Sequence, residues 1–203
     1  MPGWLFLFPA MDFVTFLVGY LLGSIPFGLV LTRLAGKGDV RAIGSGNIGA
    51  TNVLRTGSKG LAALTLLLDA AKGAAAVLLA QEFWQHGLQF AAAGAMLGHL
   101  YPAWLKFRGG KGVATLLGVI LPLMPVAAAV YALVWVGLLL VARISSVAGM
   151  AAAASAPVSA ALLGREDLFP LMLGFALLVI WKHQPNIRRL LSGTEPRLGG
   201  NKA

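Results

Sequence analysis

Seven apolar stretches fill most of this chain: about Asp12–Leu34, Leu61–Ala80, Gln89–Phe107, Val113–Leu123, Val126–Val141, Ser146–Leu163 and Leu168–Lys182. No other feature limits the fold so tightly, because runs of this kind need either a large protein interior or lipid around them. A chain of 203 residues cannot supply that interior, being 58% hydrophobic and only 11% charged. Soluble domains average about 25% charged residues, and fewer cannot cover a globule in water. The chain therefore reads as an all-α integral membrane protein, a single membrane domain over residues 1–203.

The first three stretches are long enough to cross a hydrocarbon core of about 30 Å. The fourth is short and meets Pro122 and Pro125, so 113–141 could instead be one broken helix. Seven transmembrane helices is the first reading and six the fallback. With seven spans and the N-terminus outside, the inner segments are roughly 33–60, 106–112, 142–146 and 182–203. These hold 14 of the 16 basic residues, leaving Arg165 outside and Lys72 within a span. Such a bias in short loops follows the positive-inside rule and puts the C-terminus in the cytoplasm. Six spans would put Arg143 and the basic tail on the outer side. Residues 1–12 lack a signal-peptide pattern and read as a non-native or disordered extension. The alanine run within Ala148–Ala161 reads as small residues that let helices pack closely.

A net charge of +9 points to an anionic lipid or substrate, with no sign of nucleic-acid binding. The absence of cysteine excludes thiol catalysis and thiolate metal sites. Three His and seven acids make a carboxylate metal centre improbable.

The polar chemistry gathers on the inner side. The loop Gly44-Ser45-Gly46-Asn47-Ile48-Gly49-Ala50-Thr51-Asn52-Val53-Leu54-Arg55 combines glycines with neutral donors and one cation. Glycines let backbone N–H groups converge on an oxyanion, and Ser, Thr and Asn add donors. A flexible loop with turn glycines is the plainer alternative. Its formal G-x-G-x-x-G match lacks the strand and βαβ unit a dinucleotide fold requires. The loop Phe107-Arg108-Gly109-Gly110-Lys111-Gly112 departs from a Walker A sequence at both ends but still sets a cation among glycines before a helix. A positive-inside anchor would explain Lys106 and Arg108 but not those glycines. His183 and Asn186, beside Pro185, stand where the last span meets the inner surface. His183 could be a general base, a phosphate ligand or an interfacial residue. Asp69 and Lys72, three apart on one helix face, form either a structural ion pair or part of a site. His99 leans toward a structural hydrogen bond.

Five segments together resemble one family: Ser-Gly-Asn-Ile-Gly-Ala-Thr-Asn (45–52), Leu-Asp-Ala-Ala-Lys-Gly (68–73), Gly-His-Leu-Tyr-Pro (98–102), Arg-Gly-Gly-Lys-Gly-Val-Ala-Thr (108–115) and Trp-Lys-His-Gln-Pro-Asn-Ile-Arg-Arg-Leu (181–190). The sequence is similar to the bacterial membrane acylphosphate-dependent glycerol-3-phosphate acyltransferases, the PlsY family, from about Phe13 to Gly199. The resemblance implies transfer of a fatty acyl group from acyl phosphate to the 1-hydroxyl of sn-glycerol 3-phosphate. The products would be lysophosphatidic acid and phosphate, in the first acylation of phospholipid biosynthesis. It also implies seven spans in the bacterial inner membrane, an active site at the cytoplasmic face, and neither metal nor cofactor. A peripheral phosphate acyltransferase that makes acyl phosphate would be a transient partner.

On that resemblance Ser45, Gly46, Asn47, Gly49, Thr51, Asn52 and Arg55 are expected to form much of the phosphate pocket. Lys111, with Gly109 and Gly110, is expected to hold phosphate and offset developing charge. His183 and Asn186 would bind or orient a substrate phosphate, with Asp69, Lys72 and His99 in support. Lys111, His183, Asn186 and Ser45 are the expected catalytic group. The proton acceptor is either the donor's own phosphate or His183. Soluble-type glycerolipid acyltransferases carry Asp five residues after His, whereas Ala91, Trp104 and Arg188 follow His86, His99 and His183. A phosphate transporter and a membrane scaffold are the rival classes. Motifs gathered on one face disfavour the first, and phosphate-type loops have no purpose in the second.

Overall fold

The computed structural model describes residues 7–84 and 87–199, so residues 1–6, His86 and Lys202 lie outside it. Regular structure among the described residues is helical, with no strand. Lipid cannot satisfy backbone N–H and C=O groups, and a helix satisfies them within its own segment. By length and composition four segments could cross a membrane: Met11–Leu34, Lys59–Phe83, Pro125–Ala142 and Ser145–Leu162. Val113–Leu123 and Phe169–Lys182 are shorter apolar helices. The chain divides into two compact units, Met1–Leu123 and Met124–Ala203.

The first unit holds α1 (Leu7–Gly23), α2 (Phe27–Leu34), α3 (Ala50–Val53), α4 (Lys59–Phe83), α5 (Leu88–Leu100) and α6 (Val113–Leu123). Residues 7–12, expected to lie in an extension, are helical. The expected first span is also not continuous: it breaks at Ser24–Pro26. Pro26 has no N–H and disfavours helical geometry at Ile25. The carbonyls freed at the break are capped by side chains from elsewhere. Trp104 Nε1 donates to Ser24 O at 2.9 Å, and Lys72 Nζ donates to Ile25 O at 2.8 Å.

Helix pairing in this unit depends on glycine at positions where nothing larger fits. On α1, a Cβ at Gly19 or Gly23 would overlap the carbonyls of Ala91 or Ala95. On α5, Gly94 and Gly98 meet the carbonyls of Phe16 and Tyr20 in the same way. Both helices thus carry a G-x-x-x-G face, which lets backbones approach closely without a hydrophobic driving force. The third apolar stretch, expected to continue to Phe107, instead ends its helix α5 at Leu100. Pro102 begins a tight turn over Ala103–Leu105, and Lys106 and Phe107 then take left-handed φ of 53° and 60°.

The second unit holds α7 (Pro125–Ala142), α8 (Ser145–Leu162), α9 (Phe169–Lys182) and α10 (Gln184–Leu191). Residues 113–141 therefore form two helices, parted at Met124 with φ −149° and ψ 79°. α8 packs against α7 and α9. Its Ala148, Ala152, Ala153, Ala156 and Ala160 are buried, the close packing expected of that run.

Candidate functional site

The loop from Gly44 to Arg55 is built around one buried amide. Asn52 Nδ2 donates to Val40 O at 2.7 Å, Asn47 O at 2.8 Å and Ile43 O at 3.1 Å. Its Oδ1 accepts from Ser45 N at 3.1 Å. Asn52 is 2% exposed, so its side chain gives the loop its shape. The expectation that it reaches a ligand does not fit this geometry, because both ends of the amide are occupied by backbone.

Asn47 also acts locally, its Oδ1 accepting from Gly49 N at 2.8 Å. Gly44 and Gly46 adopt φ of 54° and 68°, a region only glycine enters at no steric cost. A Cβ on Gly44 would strike the Arg55 side chain, which crosses the loop there. Beneath lie Leu29, Val40, Ile48, Val53 and Ala62, a small apolar core. Ser45, Thr51 and Arg55 remain exposed above it.

Asp39 is the one acid between Asp12 and Asp69, and it is already engaged. Arg41 Nη2 lies 2.6 Å and Arg33 Nη2 2.9 Å from its Oδ2. The hydrogen bonds from Arg41, joined by that from Arg33, hold its carboxyl well below the usual carboxylate range. It stays ionised, and the two guanidiniums beside it offset its charge.

The Lys111 loop is seated differently from the open cradle its glycines suggested. Gly109 N donates to Leu100 O at 3.2 Å, and Gly110 N to His99 O at 3.0 Å. These bonds satisfy the last carbonyls of α5, which would otherwise be orphaned. A Cβ on Gly109 would overlap His99 O, and one on Gly110 would overlap the His99 imidazole. Both glycines are thus required by close approach to α5, and their amides are not available to phosphate. Lys111 follows immediately, half-buried, two residues before α6. Leu105, earlier in the same segment, packs against the apolar core under the first loop. The two loops therefore share one end of this unit.

A buried polar cluster underlies that end. Lys72 Nζ lies 2.7 Å from Asp69 Oδ1, both side chains being at least 96% buried. His99 Nδ1 is 3.8 Å from the same oxygen. Lys72 Nζ also stands 5.7 Å from the Phe27 ring centroid. With its bond to Ile25 O, Lys72 ties α4 to the break after α1. Asp69, Lys72 and His99 come together here, and the His99 carbonyl also accepts the bond from Gly110 N.

His183 and Asn186 belong to the second unit. His183 is the last residue before α10, and its Nδ1 lies 2.7 Å from Val179 O. A carbonyl only accepts, so Nδ1 carries the proton and a neutral ring has its lone pair on Nε2. Asn186, on the first turn of α10, donates from Nδ2 to Glu195 Oε1 at 2.6 Å. Ser146 Oγ donates to the same oxygen at 2.6 Å, and Arg189 Nε to Oε2 at 2.7 Å. Burial works to raise the Glu195 pKa, but the hydrogen bonds from Ser146, Asn186 and Arg189 and the Arg189 charge outweigh it. The carboxyl is held below its ordinary value. Glu195 was not among the residues singled out from the sequence. It is a lone acid nine residues from Asn186 and 49 from Ser146, with no local pattern to mark it.

Comparison with known proteins identifies the family. The family described as glycerol-3-phosphate acyltransferase matches residues 13–193. The chain belongs to that family. The glycerol-3-phosphate acyltransferase of Novosphingobium aromaticivorans is 59% identical over 185 residues, covering 91% of this chain and 94% of that protein. That of Erythrobacter litoralis is 55% identical over 183 residues, covering 90% and 93%. The crystal structure of PlsY (YgiH), an integral membrane glycerol 3-phosphate acyltransferase in its glycerol 3-phosphate form, superposes with TM-score 0.87. It is 39% identical over 93% of this chain and 96% of that one. The lysophosphatidic acid form of the same protein gives TM-score 0.85 at 38% identity. This acyltransferase family member is accordingly a multi-pass membrane protein.

Proposed function

We propose that the chain transfers a fatty acyl group from acyl phosphate to the 1-hydroxyl of sn-glycerol 3-phosphate, releasing phosphate and lysophosphatidic acid. The observation that carries this reading is the first unit's glycine-shaped end. There Ser45, Thr51 and Arg55 stand exposed on an Asn52-locked loop, beside the segment that carries Lys111. Acyl phosphate arrives activated, so no covalent nucleophile is required. The protein must hold two anionic head groups and stabilise an oxyanion, which is positioning and electrostatics.

In this mechanism the 1-hydroxyl oxygen attacks the acyl carbonyl carbon, the carbon–oxygen bond to phosphate breaks, and phosphate leaves. Ser45, Thr51 and Arg55 bind phosphate, with Gly46, Asn47 and Gly49 shaping the backbone around it. Lys111 offsets charge on the transferring group. Gly109 and Gly110 act through the placement of Lys111, and Asn52 through the shape of the loop. His183 and Asn186 orient substrate. The hydroxyl proton goes to the departing phosphate, with His183 Nε2 as the protein alternative.

We place the protein in the bacterial inner membrane as one membrane domain with seven spans, the N-terminus outside and the site at the cytoplasmic face. The skew of basic residues to one side supports that orientation. A peripheral enzyme that makes acyl phosphate is the expected transient partner. Two variants test the mechanism. Lys111→Ala is expected to lower kcat/KM by orders of magnitude. His183→Asn is expected to raise KM and keep kcat near normal, whereas collapse of kcat would make His183 the base.

A further inference from the structure

We propose that Glu195, in the segment after α10, is a positioning residue that fixes the side-chain amide of Asn186 in one of its two orientations. The proposal rests on the reading above that Asn186 orients substrate. A carboxylate only accepts hydrogen bonds, so Asn186 must turn its nitrogen toward Glu195 and its oxygen the other way. The bond is 2.6 Å, within the short range of charge-assisted contacts.

The carboxylate is itself held on both sides. Ser146, at the start of α8, donates to Oε1, and Arg189, one turn along α10 from Asn186, donates to Oε2. The Glu195 side chain is 6% exposed, against 34% for Arg189. Nearby hydrogen bonds fasten the same segment. Leu198 N donates to Arg143 O at 2.7 Å, and Arg143 Nε donates to Leu198 O at 3.1 Å. The segment from Glu195 to Leu198 thus closes over the α7–α8 turn and the first turn of α10. A free Asn amide interconverts between orientations of similar energy. One pinned by a buried carboxylate does not, and a misplacement of about 1 Å in a substrate-orienting group can cost on the order of 100-fold in rate.

The test compares four variants with the wild-type chain in detergent, reading kcat, glycerol 3-phosphate KM and thermal midpoint together. Glu195→Gln keeps the size of the side chain but gives Asn186 a partner it can meet from either face. It is expected to lower kcat at least tenfold while most of the protein remains folded. Glu195→Asp keeps the charge but withdraws the carboxylate by one methylene, and its kcat is expected to fall between those of wild type and Glu195→Gln. Ser146→Ala removes one hydrogen bond without touching Asn186 and is expected to lower the midpoint with kcat near normal. Asn186→Ala is expected to match or exceed the kinetic loss of Glu195→Gln.

Four results would overturn the proposal: wild-type kcat and KM in folded Glu195→Gln; kcat losses in Ser146→Ala and Glu195→Asp that merely follow lost stability; full activity in Asn186→Ala; or failure of Glu195→Gln to fold together with normal kinetics in Glu195→Asp. A wild-type chain inert toward both substrates would overturn the function reading, and this proposal with it. An active wild type beside an unaffected Glu195→Gln would overturn this proposal alone.

Discussion

Gly109→Ala should be far more damaging than a single methyl group suggests. Its Cβ would overlap His99 O and lie 2.5 Å from Pro102 Cδ and 2.8 Å from the Leu100 carbonyl carbon. Two of those three neighbours are backbone, so no rotamer change relieves the clash. The loop must lift away from α5, and the bonds Gly109 N to Leu100 O and Gly110 N to His99 O then stretch. Overpacking of this kind costs about 1–3 kcal/mol, and each lost hydrogen bond adds about 1 kcal/mol. The sum is roughly 3–5 kcal/mol, enough to lower the thermal midpoint in detergent by several degrees.

Lys111 lies two residues on and would move with the loop, lowering kcat/KM by about 100-fold. Gly137→Ala supplies the control. That glycine lies within α7, and a Cβ there would meet nothing within 4 Å. It should be neutral, or stabilising by up to about 1 kcal/mol through helix propensity. Thermal unfolding and phosphate-release kinetics on the two variants decide the matter. Equal behaviour of Gly109→Ala and Gly137→Ala would refute the close-approach account of the Lys111 loop.

Three further outcomes follow from the same geometry. Asn52→Leu keeps the branched shape but leaves the carbonyls of Val40, Ile43 and Asn47 without their donor; thermal unfolding should register a loss of about 3 kcal/mol. Lys72→Met leaves Asp69 as an unpaired buried charge and should cost about 3–5 kcal/mol, much of it recovered in the double variant Asp69→Asn/Lys72→Met. The depressed pKa of Glu195 means that its contribution to stability is fully present above its ordinary 4.5 and is lost as pH falls below that value through the folded pKa. Acid unfolding of Glu195→Gln should therefore lack the part of the pH dependence that wild type shows below about pH 4.5.

Much of the fold was legible because lipid imposes a simple rule: apolar runs become helices. The run beginning at Asp12 gave a helix, yet its break was marked by Pro26 alone. That the freed carbonyls are capped by Trp104 and Lys72 is a long-range fact, 80 and 47 residues away. Lys72 could be read from sequence only as an ion-pair partner or a site residue. The glycines of the Lys111 loop were legible as a requirement, but their purpose was not. A glycine needed for open amides and one needed for close packing look identical in sequence, and the α5 terminus against which these glycines pack lies outside the motif. Asn52 is ambiguous in sequence for a similar reason, because an amide that holds a loop and one that holds a ligand have the same donors. Its three backbone acceptors are irregularly spaced and carry no side-chain signature. His183 and Asn186 stood out through their place beside Pro185, whereas Glu195 is joined to Asn186 only by the fold of the tail.

The proposed reaction takes an activated acyl phosphate as donor and glycerol 3-phosphate as acceptor. The direct measurement gives purified chain in detergent palmitoyl phosphate, with and without glycerol 3-phosphate, and follows phosphate and lysophosphatidic acid; palmitoyl-CoA replaces the donor in a parallel arm. Stoichiometric phosphate and lysophosphatidic acid are expected only when palmitoyl phosphate and glycerol 3-phosphate are both present. Absence of turnover there, or equal turnover with palmitoyl-CoA, would contradict it.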